Sequence, residues 1–351
     1  MAGSGSSGDL PLFLIDAFAA APFAGNPAAV VLELRDGLLD DSTRQRIAAE
    51  MNQSETAFVS VPTAGVDENG GGDPLARFRA GGAFGLRWFT PTTEVPLCGH
   101  ATLAAAHVLF SELGNASEAI HFDTLSGRLT VRRQQPAAAA AAGGGGSPAG
   151  AGGRALLRLD FPSLPPSLAA LPPGLRPEAG GDGGLEALIR VATGGLGAEA
   201  VAYSPPVKYL LLLLPKGTPR AALEALAPDP SALAAAAPGG GALVSGVIVA
   251  AEGGGAGLDF VSRFFAPWMG INEDPVTGSA HCVLAPFFAE RLGKTDMAAF
   301  QCSPRGGAVW VRLETAAAGA PRVCVSGGAV TTVRGGLALP AGSGSAAGAA
   351  S

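Results

Sequence analysis

Charge is scarce in this 351-residue chain: Asp, Glu, Lys and Arg make up 15% of it, against the ~25% usual for globular domains. The 23 basic and 29 acidic residues leave a net charge of −6, which argues against nucleic acid as a partner. Four cysteines are too few for a disulfide scaffold and fit a reducing compartment. Only four histidines are present, with no His-Glu-x-x-His, and Cys98-Gly99-His100 places two ligands too close for a zinc clamp without others, so no metal is expected. No Gly-x-Gly-x-x-Gly follows a strand, which removes the main signal for a nucleotide cofactor. Val276 to His281 lacks the Gly-x-Ser-x-Gly elbow of a serine hydrolase. The longest aliphatic run, Leu210–Leu214, is closed by Pro215, far short of the ~20 apolar residues of a membrane helix. No basic residue precedes Arg35, so no export or transit signal is expected and the location is read as cytoplasmic.

What the chain has instead is small and apolar: 52 Gly, 28 Pro and 48% hydrophobic residues. Four stretches read as loosely structured, namely the Gly/Ser start, Pro136 to Gly153, much of Thr218 to Gly257, and the tail after Pro340. Between them, 10–17, 55–61, 87–89, 208–214, 244–250, 309–313, 323–325 and 330–339 read as strands. Asp41 to Met51 opens with Asp-Ser-Thr cap chemistry and reads as a helix. The segments 99–113 and 278–292 are apolar almost all round, which predicts two buried helices.

The approaches to those two helices match. Arg87-Trp88-Phe89-Thr90-Pro91 is followed after seven residues by Gly99-His100-Ala101, and Arg263-Phe264-Phe265-Ala266-Pro267 after ten by Gly278-Ser279-Ala280. Such an internal repeat predicts two like-folded halves. At a helix start the first amides lack intrahelical partners and the dipole is positive, so two tips facing across a cleft would grip a carboxylate. A two-fold arrangement also sets protic groups on both sides of a ligand. The candidates are His100, Asp274 and Glu55, the last in Asn52-Gln53-Ser54-Glu55-Thr56-Ala57, where burial beside a strand would raise its pKa. Each also has a plainer reading: His100 as a cap, Asp274 as turn chemistry before Pro275, and Glu55 as a strand-edge charge. Cys98 is either a thiol activated by its helix start or a small buried residue. Cys282 reads as core.

These residues resemble the phenazine-biosynthesis isomerase-like (PhzF-type) family, which has the diaminopimelate-epimerase-like fold. The resemblance runs through 18–27 (FAAAPFAGNP), 52–59 (NQSETAFV), 89–101 (FTPTTEVPLCGHA), 263–280 (RFFAPWMGINEDPVTGSA) and 326–330 (SGGAV). It implies an α+β fold of two pseudo-symmetric lobes, each a curved, mostly antiparallel sheet around a central buried helix. The boundaries expected are 9–135 for the first lobe, completed by a C-terminal strand at 327–340, a linker at 136–153, a second lobe at 154–326 and a flexible tail at 341–351. It further implies a cofactor-independent isomerase acting by general acid/base proton transfer on a small carboxylate-bearing metabolite, and a possible homodimer. Glu55 would be the proton shuttle, with His100, Asp274 and Ser279 orienting it and the substrate. Backbone at Gly99, Ala101, Gly278 and Ala280 would hold the carboxylate. The sister racemases use a cysteine at each helix start; here Cys98 precedes Gly99 but Thr277 precedes Gly278, so the thiol pair is missing. The alternatives are an epimerase working through carboxylates and a non-catalytic binding protein that keeps the fold.

Overall fold

The computed structural model describes residues 9–34, 37–62, 73, 75–134, 156–176, 184–237, 239–255, 257–314 and 319–339. The Gly/Ser start, the 136–153 linker and the 341–351 tail expected from the sequence lie outside the described residues. The strands are β1 (Leu10–Ala17), β2 (Asn26–Glu33), β3 (Glu55–Ser60), β4 (Ala83–Phe89), β5 (Glu94–Val95), β6 (Ala119–Thr124), β7 (Gly127–Gln134), β8 (Leu156–Pro162), β9 (Ala200–Ser204), β10 (Tyr209–Leu213), β11 (Gly246–Glu252), β12 (Phe260–Phe265), β13 (Asp296–Gln301), β14 (Gly307–Glu314), β15 (Arg322–Gly327) and β16 (Ala329–Leu337). The α-helices are α1 (Asp41–Met51), α2 (Ala76–Ala80), α3 (Gly99–His107), α4 (Gly184–Ala192), α5 (Arg220–Glu224), α6 (Pro230–Ala236) and α7 (Gly278–Leu292).

The strands form one continuous sheet in the order β16-β1-β2-β3-β4-β6-β7-β8-β15-β14-β13-β12-β11-β10-β9, with β5 paired to β4. Four of its pairings, β2–β3, β4–β6, β10–β11 and β12–β13, are parallel and the rest antiparallel. The alternation of senses from β1 to β7 is the same as from β9 to β14. β16 pairs antiparallel with β1, and Ser167, beyond β8, forms an antiparallel bridge to Tyr203 in β9. Each half of the sheet wraps one helix. α3 packs on β1, β2, β3 and β8, and α7 on β14 and β15, with the two helices touching.

Local chemistry explains these elements. Leu210 to Leu213 and Val247 to Ala250 are buried on both faces, as parallel neighbours covered by helices require. Asp40 caps α1 by accepting from the Thr43 amide at 2.7 Å, and Asn52 ends it in the left-handed region at φ 48°. Ala101, Leu103, Ala104, Ala105 and Ala106 are fully buried, so α3 fills the centre of its half with small side chains that allow close strand approach. It continues into a π-helical turn, Val108–Glu112, rather than running as α-helix to residue 113. Gly327 and Gly328 form the corner between β15 and β16; a Cβ on Gly327 would lie 2.3 Å from the Phe18 ring.

One expectation is corrected. Much of Thr218 to Gly257 reads as loose in the sequence, but its described residues include two helices and a strand. α5 and α6 bury Leu223 and Leu233, Asp229 caps α6 by accepting from the Ala232 amide at 2.8 Å, and Pro230 sits at the helix start. Alanine is the best helix former, so an Ala-rich stretch with a cap and spaced leucines folds once it has a sheet to cover. Among the described residues no helix is long and apolar enough to cross a membrane.

Candidate functional site

The starts of α3 and α7 meet. A Cβ built on Gly278 would lie 3.8 Å from the Gly99 Cα, so the two tips approach at van der Waals distance. The first intrahelical bonds run from the Thr102 amide to Cys98 O and from the His281 amide to Thr277 O. The amides ahead of them have no acceptor within their own helices. A cavity of about 280 Å³ opens at this junction. It is lined by Glu55, Cys98, Gly99, His100, Asp274, Thr277, Gly278, Ser279, Cys282 and Tyr209, and walled by Leu97, Phe161, Pro162, Leu164, Val207, Phe264, Met269 and Ile271. The sequence-predicted residues are thus brought together, except that the side chains of Ala101 and Ala280 are buried in the core and do not line the cavity. Only their backbone can serve a ligand.

β3 delivers Glu55 and the first turn of α3 delivers His100; both are buried. His100 Nε2 lies 3.1 Å from Glu55 Oε2. The contact is an ion pair without hydrogen-bond alignment, for Oε2 is a buried oxygen with no aligned donor. Burial pushes the Glu55 carboxyl up, but the adjacent His100 charge, helped by the neighbouring Ser54 and Cys98, outweighs it and holds the group below its ordinary value. The raised pKa expected from burial is therefore corrected: a cation at contact distance beats desolvation here. Burial likewise pushes His100 down, and the Cys98 sulfur and Glu55 carboxylate more than reverse it, leaving the imidazole well above its ordinary value. Cys98 Sγ lies 3.4 Å from His100 Nδ1, and burial pushes this thiol up.

Asp274 faces the cavity from the other half. Its Oδ1 accepts from Asn26 Nδ2 at 2.7 Å and its Oδ2 from the Thr277 hydroxyl at 2.6 Å. Burial raises it, partly offset by the His100 charge and the Thr277 bond. The two carboxyls are driven in opposite directions, the usual condition for dividing acid and base roles. The hydrogen-bond partners of the Asp274 carboxylate are Asn26 and Thr277, not Glu55. It connects through Asn26, whose Oδ1 is 3.4 Å from the Ser54 hydroxyl, itself 3.2 Å from His100 Nε2. The Ser279 hydroxyl lies 3.1 Å from the Tyr209 phenol.

Four participants escape the sequence reading: Asn26, Ser54, Tyr209 and Gln301. Gln301 braces the Asp274 loop, accepting from the Thr277 amide at 2.8 Å and donating to Asp274 O at 2.7 Å. Asn26 and Ser54 lie inside two of the segments that carry the resemblance (Gly25-Asn26-Pro27 and Gln53-Ser54-Glu55), whereas no local pattern marks Tyr209 or Gln301. For metal binding, Glu55, Cys98 and His100 each offer a ligand atom within 4.8 Å of the others.

Comparison with known proteins bears on this geometry. A family model described as phenazine biosynthesis-like protein (PhzC-PhzF) matches residues 15–145 and 196–335. The phenazine biosynthesis-like domain-containing protein 2 of Mus musculus is 40% identical over 332 residues, covering 93% of this chain and 99% of the relative. An uncharacterized isomerase of Pseudomonas aeruginosa is 41% identical over 325 residues, covering 93% of this chain and 97% of the relative. The crystal structure of a PhzF-family protein from Enterococcus faecalis superposes with a TM-score of 0.70 at 33% identity, covering 94% of this chain and 100% of that one.

Proposed function

This chain belongs to the phenazine biosynthesis-like (PhzF) family, and we propose that it is a cofactor-independent isomerase that moves a carbon-bound proton of a small carboxylate metabolite. The family and the isomerase among its relatives support an isomerase-type function. The observation that carries the finer reading is the Glu55–His100 ion pair, at 3.1 Å, beside the junction of two helix starts.

In this mechanism the amides of the α3 and α7 tips hold the substrate carboxylate, since aligned N–H groups and two positive dipole ends converge there. Glu55, kept ionised by His100, takes the proton from carbon and becomes the acid that returns it to another carbon. His100 keeps its positive charge throughout and steadies the carboxylate before and after the transfer. Asp274 and the Tyr209–Ser279 pair form the opposite wall and fix the substrate's orientation. The apolar residues around them exclude water from the transfer. A two-base racemase is disfavoured, because Thr277 stands where a second thiol would be needed.

Incubation of the protein with a panel of small carboxylic acids in D2O, read by mass spectrometry, tests this. Glu55→Gln is expected to slow deuterium incorporation by about 10²- to 10⁴-fold, the usual worth of a general acid/base, with circular dichroism checking that the variant folds. Wild-type exchange in the Glu55→Gln variant overturns the assignment.

A further inference from the structure

We infer that Tyr209 is a positioning residue for ligand binding: its phenol donates to the Ser279 hydroxyl and so turns the serine's own proton into the cavity, towards a carboxylate held at the α7 tip. The inference rests on the reading that the two helix starts hold such a carboxylate, and it adds a side-chain donor to their amides.

Tyr209 is one of two tyrosines in the chain, and its surroundings fix the ring. It opens β10 opposite Gly246 in the parallel pairing with β11. A Cβ on Gly246 would lie 2.4 Å from Phe264 Cζ and 3.2 Å from Tyr209 Cδ1, so glycine there leaves room for the two rings, whose centroids stand 4.8 Å apart. The residue before Tyr209, Lys208, has φ 53°, an uncommon and strained backbone for a long side chain. Ser245 clamps that turn, its amide donating to Lys208 O at 3.0 Å and its hydroxyl to Val207 O at 2.5 Å. The strain stands where the chain sets the direction of β10, and with it the aim of the phenol.

The phenol oxygen ends 3.1 Å from Ser279 Oγ. Each hydroxyl carries one proton, so one O–H closes the contact and the other is left over. Two arguments assign the closing bond to the phenol. A phenol, with an ordinary pKa of about 10, is more acidic than an aliphatic alcohol and the stronger donor, while its ring-conjugated oxygen is the weaker acceptor. Burial holds the Tyr209 phenol above its ordinary value, so it keeps the proton it donates. A hydroxyl that accepts a bond is also polarised into a better donor, which favours the arrangement whose free proton faces an anion. Ser279 follows Gly278 in the first turn of α7, and both Ser279 and Tyr209 line the cavity. The serine proton therefore joins the amides of the tip. Without the phenol, that hydroxyl would be free to turn back onto a carbonyl of the preceding turn, as serines in helices often do.

Calorimetric titration of the full-length protein with benzoate, one carboxylate on a flat apolar body that suits the apolar walls, tests the relay. Tyr209→Phe is expected to weaken binding about threefold to tenfold, the worth of a neutral hydrogen bond, and Ser279→Ala about tenfold to a hundredfold, the worth of a bond to a charged group. The double variant should bind no more weakly than Ser279→Ala, because the phenol then has nothing to aim. Ser279→Thr keeps a hydroxyl and should bring back the loss on Tyr209→Phe. Circular dichroism checks that each variant folds; Phe264→Leu, which frees the ring but keeps both hydroxyls, is a second route to the same loss. Additive losses in the double variant, or wild-type affinity in Tyr209→Phe, overturn the relay. If Gly278→Ala weakens benzoate binding while Tyr209→Phe does not, the relay alone fails. If neither Gly278→Ala nor Ser279→Ala weakens it, the carboxylate reading fails as well. A wild type that takes up no benzoate at millimolar concentration counts against both.

Discussion

Replacing Gly278 by alanine separates binding from folding. The added Cβ would meet only the Gly99 Cα, at 3.8 Å, which is ordinary contact. Alanine is also the better helix former by about 0.5–1 kcal/mol in a helix interior, and by less at a first turn, so stability should hold or rise slightly. Yet the methyl group would stand between the two tips, where the carboxylate is proposed to sit. Displacing a hydrogen bond to a charged group forfeits about 1.5–3 kcal/mol, which at ~1.4 kcal/mol per decade weakens binding about tenfold to a hundredfold. Thermal melting and calorimetric titration with an exchange-competent acid measure the two effects separately. Gly99→Ala is the contrast: its Cβ would lie 3.3 Å from Phe161 Cζ, so that variant should lose stability as well. A Gly278→Ala protein with unchanged affinity would refute the placement of the anion, and one that unfolds would refute the packing argument.

Further outcomes follow from buried charge. His281 is fully buried, with Nδ1 2.8 Å from Thr277 O and Nε2 unpartnered, and burial lowers its pKa from 6.5 to about 4. A base depressed in the folded state binds its proton more readily unfolded, so stability must fall as pH drops from about 6.5 towards 4. The loss is about 3 kcal/mol over that window. Urea unfolding of wild type and His281→Gln across the range should show the extra slope in wild type only; parallel curves would remove His281 as its source. Arg44 meets Glu33 in two bonds, 2.8 and 2.9 Å long, with both residues buried. Arg44→Met strands a buried carboxylate and should cost about 3–5 kcal/mol, while Arg44→Met with Glu33→Leu should recover most of it. A single variant within 1 kcal/mol of wild type in denaturant unfolding would contradict this.

The parts of the fold legible in the sequence are those with strong local signals. α1 shows its cap and α7 its run of apolar residues, and the observed spans match the expected 41–51 and 278–292. Segments whose identity depends on a distant partner are not legible. β2 and β13 carry no such signal, because NPAAVVLE and DMAAFQ become strands only by pairing with β1, β3, β12 and β14. The Ala-rich stretch around α6 reads as loosely structured because composition cannot show that a sheet face awaits cover. The site divides in the same way. Glu55, His100 and Asp274 stand in distinctive motifs, but their connections do not, since Asn26 reaches Asp274 across 248 positions of sequence. The sign of the Glu55 shift is not legible in the sequence, because burial is visible from an apolar strand, whereas an imidazole at 3.1 Å is visible only in three dimensions.

The unbroken sheet constrains how anything enters or leaves the crevice. β8 is bonded to β7 on one side and β15 on the other, and Arg305 ties the two halves again through Asp16 at 2.7 Å. Swinging the halves apart like a clamshell would tear a ladder at its centre and break that strap. Access must therefore be decided by side chains, and Leu97 and Met269 are the large apolar residues of the cavity lining that also stand exposed to solvent.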